Sequence, residues 1–381
     1  MDVNRERLAA TFTELCEIDS PSRREGRISQ RLQEIFRELD ATEIIEDDSA
    51  ASTGSECGNL IIRFPGTITR TPIFFNCHMD TVQPAEGVRV KRIGDLFTSF
   101  GDTILGSDDK SAIAACIETM RVLQESGQMY RPVEFIITTC EEIGLMGAKA
   151  LNPALVRARE GYALDSSGFA RVVTHAPAAN RLTITVTGVA AHAGLNPEWG
   201  INALILAAHA LVKVPNGRID EETTANFGII TGGTASNIVP AKVVIKGEVR
   251  SHSTAKLERV IEEIREIFTT AVASWIDPTG SAKGRPTVAI EVRQDYPVMQ
   301  LQPEEPVLRR VEAAARSIGM KLTYERGGGG SDANIFNGYG LSTAIIATGM
   351  TNVHSTGEQV ELQDMVDLTR LLLALLTAAS C

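Results

Sequence analysis

Pro132-Val133-Glu134-Phe135-Ile136-Ile137-Thr138-Thr139-Cys140-Glu141-Glu142 decides how this chain folds. A short, nearly continuous apolar run, rich in β-branched and aromatic side chains and opened by proline, predicts a strand buried on both faces. Upstream, Lys110 to Glu125 has helical apolar spacing, and Asn59-Leu60-Ile61-Ile62-Arg63-Phe64 and Pro72-Ile73-Phe74-Phe75-Asn76-Cys77 read as two more buried strands. Helices alternating with such strands predict an α/β fold, an open sheet covered on both faces, with sites beyond the carboxyl ends of the strands. The run at 132 delivers Glu141 and Glu142 to that rim, and the run at 72 delivers His78.

Working outward, residues 5 to 39 carry apolar positions at helical spacing, broken at Ser20-Pro21-Ser22, and predict two opening helices. From Arg181 the texture changes. Alternating Leu182 to Thr187, a helix at Ile201 to Val212, a strand at Lys242 to Arg250, a helix at Ala255 to Trp275 and a strand at Thr287 to Val292 describe an inserted α+β unit of the split-βαβ kind. The α/β texture returns with a helix at Glu304 to Ile318, a strand at Thr343 to Ala347 and a terminal helix at Leu362 to Ala379. The expected division is 1–178 and 295–381 for one domain, with 179–294 inserted.

A chain of 381 residues suggests two or so domains at ~150 residues each. With 37 Lys plus Arg against 48 Asp plus Glu, the formal charge of −11 repels phosphate backbones and anionic lipid, which argues against nucleic acid as a partner. The charged start, Met1-Asp2-Val3-Asn4-Arg5-Glu6-Arg7, leads into a helical pattern, not a secretion signal. The longest apolar stretches, Ile201 to Val214 and Leu371 to Ala379, fall short of the ~20 residues that cross a bilayer. Six cysteines without a CxxC pair fit a reducing compartment, so a cytoplasmic protein is expected.

No GxSxG, Walker, GxGxxG or HExxH motif is present, which removes several chemistries. What remains is a set of acids and histidines at strand ends. In His78-Met79-Asp80, residues two apart in extended chain share a side, so Asp80 can hydrogen-bond the His78 nitrogen that does not face a metal. Asp108 and Asp109 open an alanine-rich helix, where acids are ordinarily caps. The adjacent Glu141 and Glu142 are costly to crowd in a cleft without a cation; one can bind a metal while the other serves as a base. Asp165 closes Gly161-Tyr162-Ala163-Leu164, and His354 follows the late apolar strand. Together His78, Asp108, Glu142, Asp165 and His354 have N/O chemistry that suits zinc, with cobalt or manganese possible. If Asp108 bridges, two metals each receive three protein groups.

His78-Met79-Asp80, Gly106-Ser107-Asp108-Asp109-Lys110, Glu141-Glu142-Ile143-Gly144, Asp165 and His354 resemble, in order, the metal-site segments of the M20 metallopeptidase family. Asp108-Asp109-Lys110-Ser111 and the aspartate at 165 are most similar to its peptidase T branch, the tripeptide aminopeptidases and their relatives. The resemblance implies a zinc-peptidase-type open mixed sheet with an inserted dimerisation or lid domain. It implies two zinc ions, one on His78, Asp108 and Asp165 and one on Asp108, Glu142 and His354, with Glu141 as general base and Asp80 orienting His78. It further implies a homodimer in which His192 reaches the partner's site to stabilise the oxyanion. Asn237, Arg250, Gly328, Gly329 and Ser331 match substrate-contacting segments. Short peptides are the implied substrates. Ala112, where many relatives have glycine, and a length below that of typical peptidase T are the departures. An N-acyl amino acid amidohydrolase or carboxypeptidase is the alternative within the enzymes, and a noncatalytic peptide-binding homologue the alternative outside them.

Overall fold

The computed structural model describes residues 2–377, which leaves Met1, Ala378, Ala379 and Cys381 of the expectations above outside the described residues. The chain forms two compact units, one running to His175 and resuming at Met299, the other spanning Ala176–Val298.

The first unit is built on a mixed sheet. Its strands follow the order Glu43–Glu46, Leu60–Phe64, Val133–Thr138, Ile73–His78, Glu160–Ala163, Ser342–Ile346, Arg171–Ala176 and Met299–Gln300, with Thr323–Arg326 also paired to Arg171–Ala176. The four central strands from Val133–Thr138 to Ser342–Ile346 are mutually parallel, so their carboxyl ends share one rim. Alternation assigns their side chains to two covered faces. Phe75 stacks on Phe135 and Tyr162, and Phe135 meets Phe36 of the helix Gly26–Glu38. On the other face Phe74 meets Phe336 of the helix Asp332–Gly338, ring centroids 5.4 Å apart. Phe74 pairs with Gly161 on the neighbouring strand, where a Cβ would lie 2.4 Å from the Phe74 ring, so only glycine admits that ring.

The helix Ser107–Ser126 is buried from Ser107 to Met120 between the sheet, the helix Arg5–Cys16 and the terminal helix Leu362–Thr377. Asp108 and Asp109 have non-helical backbone angles, so the regular helix begins at the expected Lys110, after a kinked lead-in from Ser107. A separate sheet of Val90–Ile93, Leu96–Ser99 and Gln359–Glu361 flanks this helix start; its short, partly exposed strands carry little apolar signal.

The second unit is an antiparallel sheet in the order Gly217–Arg218, Thr223–Gly232, Lys242–Ser251, Ala178–Thr187 and Thr287–Tyr296. The helices Ala203–Leu211 and Thr254–Ala273 pack on one face over Leu182, Ile184, Val186, Val243, Ile245 and Val249. In chain order the unit is β-α-β-β-β-α-β, the expected split-βαβ arrangement with Gly217–Arg218 and Thr223–Gly232 added before Lys242–Ser251. Among the described residues no helix is long and apolar enough to cross a membrane.

Candidate metal centre

Each of the four parallel strands ends in chemistry. Val133–Thr138 leads to Glu141 and Glu142, Ile73–His78 ends on His78, Glu160–Ala163 leads to Asp165, and Ser342–Ile346 leads to His354. Asp108 comes from the start of the buried helix below this rim. His78 Nε2 lies 3.0 Å from Asp108 Oδ1 and 4.0 Å from Asp165 Oδ1. His354 Nε2 lies 3.3 Å from Asp108 Oδ2 and 3.0 Å from Glu142 Oε2. Asp108 therefore turns one carboxylate oxygen to each imidazole. His78, Asp108 and Asp165 form one group with donor atoms within 4.8 Å of one another, and Asp108, Glu142 and His354 form a second.

The electrostatics follow from crowding acids in a buried space. Burial, reinforced by the charge of Asp108, pushes the Asp165 carboxyl up to about 7. Burial and then the Asp165 charge raise Glu141 well above the usual carboxylate range, and burial also raises Glu142 against the hydrogen bond from His354. Burial opposes ionisation of Asp108 too, but hydrogen bonds from His354 and His78 outweigh it and hold its carboxyl low. Hydrogen bonds to Asp108 and Glu142 lift His354 to about 10. The crowded carboxylates create a negative field that raises acids and imidazoles alike, and with a buried Glu142 Oε1 that lacks a hydrogen-bond partner this favours a bound cation. Nitrogen and carboxylate donors in two groups of three fit two borderline divalent ions, each with room for a further ligand.

Asp80 does more than the sequence suggested, and in a different way. The strand ends at His78, so the acceptor facing His78 Nδ1 at 2.9 Å is the Asp80 main-chain carbonyl; the Asp80 carboxylate stands 3.5 Å away. That carboxylate accepts from the amides of Glu141 at 2.9 Å and Glu142 at 3.3 Å and from Ser22 Oγ at 2.6 Å. It thereby fixes the loop on which both glutamates stand. Glu25 braces the same loop, accepting from Cys140 N at 3.0 Å and Cys140 Sγ at 3.3 Å, where Cys140 takes a left-handed φ of 52°. Asp332, pushed up to about 6 by burial, accepts from Thr138 Oγ1 at 2.5 Å and Asn76 Nδ2 at 3.4 Å, tying two strand ends together. Ser22 lies in the stretch read only as a helix break, Glu25 at a helix start and Asp332 beside the glycine run. Nothing local in the sequence separates them from ordinary turn and cap residues.

Gly328 and Gly329 are exposed, and a Cβ on either would meet nothing within 4 Å. Ser331 is buried and caps the helix Asp332–Gly338 in a reciprocal capping box with Asn334, which engages its hydroxyl as an acceptor. In the second unit, His192 is exposed on a loop bridged to Ile238, and the amide of Ala193 donates to the Asn237 carbonyl. Gly194 N donates to His192 Nδ1 at 3.1 Å, so the neutral ring carries its proton on Nε2 as a donor. Arg250 pairs with Glu248. Cys77 and Cys140 are buried, as expected of core thiols, and the Cys77 and Cys116 sulfurs lie 3.9 Å apart.

A peptidase dimerisation domain model matches residues 178–275, and a peptidase family M28 model matches residues 59–184, a span containing His78, Asp108, Glu142 and Asp165. The chain is 38% identical to the Bacillus subtilis protein YqjE over 379 residues, 99% of this chain and 100% of the relative. Its fold superposes on the crystal structure of aminopeptidase PepT from Bacillus cereus with a TM-score of 0.88 at 38% identity, covering 98% of each chain. It superposes on a tripeptidase from Staphylococcus aureus with a TM-score of 0.90 at 32% identity, covering 99% of each chain. Full-length likeness at these identities, over a rim of ordered histidines and acids, shows that this chain belongs to the M20 metallopeptidase family, in its peptidase T-like branch.

Proposed function

We propose that this protein is a dizinc aminopeptidase that removes the N-terminal residue from short peptides. The observation that carries the reading is Asp108, whose two oxygens each face a separate histidine and acid pair. His78, Asp108 and Asp165 would hold one ion and Asp108, Glu142 and His354 the other, with cobalt or manganese able to replace zinc. Bound there, the ions would polarise the scissile carbonyl and acidify water. Glu141 belongs to neither group, is buried beside them and is raised by that burial, which suits a base that takes a proton and passes it to the leaving amine. Asp80 holds Glu141 in place through its amide.

In the proposed homodimer, His192 of the partner subunit donates from Nε2 to the oxyanion, and Asn237, Arg250, Gly328 and Gly329 contact the peptide. The reading is supported by relatives that are an aminopeptidase and a tripeptidase. A reducing, cytoplasmic setting is supported by Cys16, Cys57, Cys77, Cys116 and Cys140, all buried and free. The metal-loaded enzyme is expected to release the N-terminal residue of free tripeptides and to leave N-acetylated amino acids intact, with products identified by mass. Hydrolysis of the acetylated amino acids, or release of the C-terminal residue, would favour the amidohydrolase or carboxypeptidase reading. Peptide binding without any turnover after zinc, cobalt or manganese loading would favour the noncatalytic one.

The second unit offers an edge for the dimer. Gly217–Arg218 covers only Thr224 and Ala225 of its neighbour, leaving the outer side of residues 226–232 unpaired among the described residues, with Ile229 and Ile230 more than half exposed. The opposite edge, Thr287–Tyr296, carries Glu291, Arg293 and Asp295, the charges that discourage strand addition. Replacing both Ile229 and Ile230 by lysine places like charges across a two-fold contact. This is expected to raise the dimer dissociation constant about 100-fold or more in sedimentation experiments. An unchanged dimer would move the interface elsewhere.

A further inference from the structure

The turn that carries His354 ends at Glu358, an acid buried to 1% exposure that no metal group includes. Its Oε1 accepts from Ser107 Oγ at 2.6 Å and Asp108 N at 2.9 Å, and its Oε2 accepts from Leu105 N and Gly106 N, both at 2.9 Å. Four successive residues thus point neutral donors at one carboxylate. Gly106, at a φ of 81°, makes the turn that aims them. The backbone of Glu358 is fixed independently. Gln359–Glu361 pairs with Leu96–Ser99, and Gln359 bridges back to Thr351, closing the turn around His354.

We propose that Glu358 is a positioning residue that clamps the Asp108 loop to the His354 turn and so sets the spacing of the metal position formed by Asp108, Glu142 and His354. The inference rests on the two-metal reading above. Only a carboxylate fits the role, because both of its oxygens accept. In Glu358→Gln one terminal atom becomes a donor. Facing Leu105 and Gly106 it would oppose two amides. Facing Ser107 and Asp108 the serine hydroxyl can reverse, but the Asp108 amide is left against a donor. The lesser conflict therefore falls on Asp108 itself.

The test is calorimetric titration of the metal-free, full-length protein with zinc, alongside circular dichroism for folding. Wild type is expected to take up two equivalents. Glu358→Gln is expected to stay folded and bind the second equivalent about 10–100-fold more weakly, with a smaller change in the first. Excess zinc should then restore its turnover, and a metal-free thermal transition equal to that of wild type separates this loss of affinity from simple instability, which excess zinc would also relieve. Ser107→Ala, which removes one donor and keeps the carboxylate, is expected to weaken the same equivalent several-fold. It decides the matter if Glu358→Gln does not fold. Two equivalents bound with wild-type affinity by a folded Glu358→Gln, or by Ser107→Ala where Glu358→Gln does not fold, overturns the proposal. Failure of wild type to bind a second ion overturns the two-metal reading itself, and this inference with it.

Discussion

Glu141→Gln is expected to keep both metal equivalents and lose about 10²–10⁴-fold in turnover of free tripeptides. The substitution preserves shape, and the Glu141 amide that Asp80 holds at 2.9 Å is unchanged, so the loop should remain where it is. Glu141 stands in neither group of candidate ligands, so metal content measured after dialysis should match wild type. What disappears is a carboxylate that can accept a proton and release it again. A variant that loses metal along with activity would show that Glu141 is a ligand, and the assignment as base would fail.

Asp108→Ala is expected to abolish activity by a different route. Both oxygens of Asp108 are engaged, one with His78 and one with His354, and both groups contain it. Removing a shared ligand should weaken both ions by at least about 100-fold, beyond the upper end of what outer partners cost. Asp165→Ala should spare the ion on Glu142 and His354. Zinc per chain, measured after dialysis, separates the two variants. Two tightly held ions in Asp108→Ala would remove the bridging role and the centre built on it.

The rim was legible because its residues follow strands that the sequence marks strongly. Runs such as Ile73 to Cys77 and Val133 to Thr138 are short, apolar and bounded, and the residues just past their ends have nowhere to go but the sheet edge. Strand Thr223–Gly232 gives a weak signal, because its alternation is confined to Thr223, Ala225 and Phe227 and the residues from Gly228 to Gly232 are exposed. Glu25, Ser22 and Glu358 were invisible for another reason. They act on main-chain amides, a thiol or a neighbouring carboxylate, and neither a local pattern nor a spacing demands them. At His78 Nδ1 the Asp80 main-chain carbonyl, at 2.9 Å, stands nearer than the Asp80 carboxylate, at 3.5 Å, since the extended geometry assumed for His78-Met79-Asp80 stops at His78.

The large sheet also has an entry and exit for additional sequence. The polypeptide departs after Arg171–Ala176 and returns on Met299–Gln300, which hydrogen-bonds beside it. A graft joined at two adjoining rungs can be lengthened, trimmed or rewritten without shifting any rung of the ladder that carries His78, Glu142, Asp165 and His354. The inserted module can therefore diverge in sequence while the strand ends that bring these four residues together keep their register.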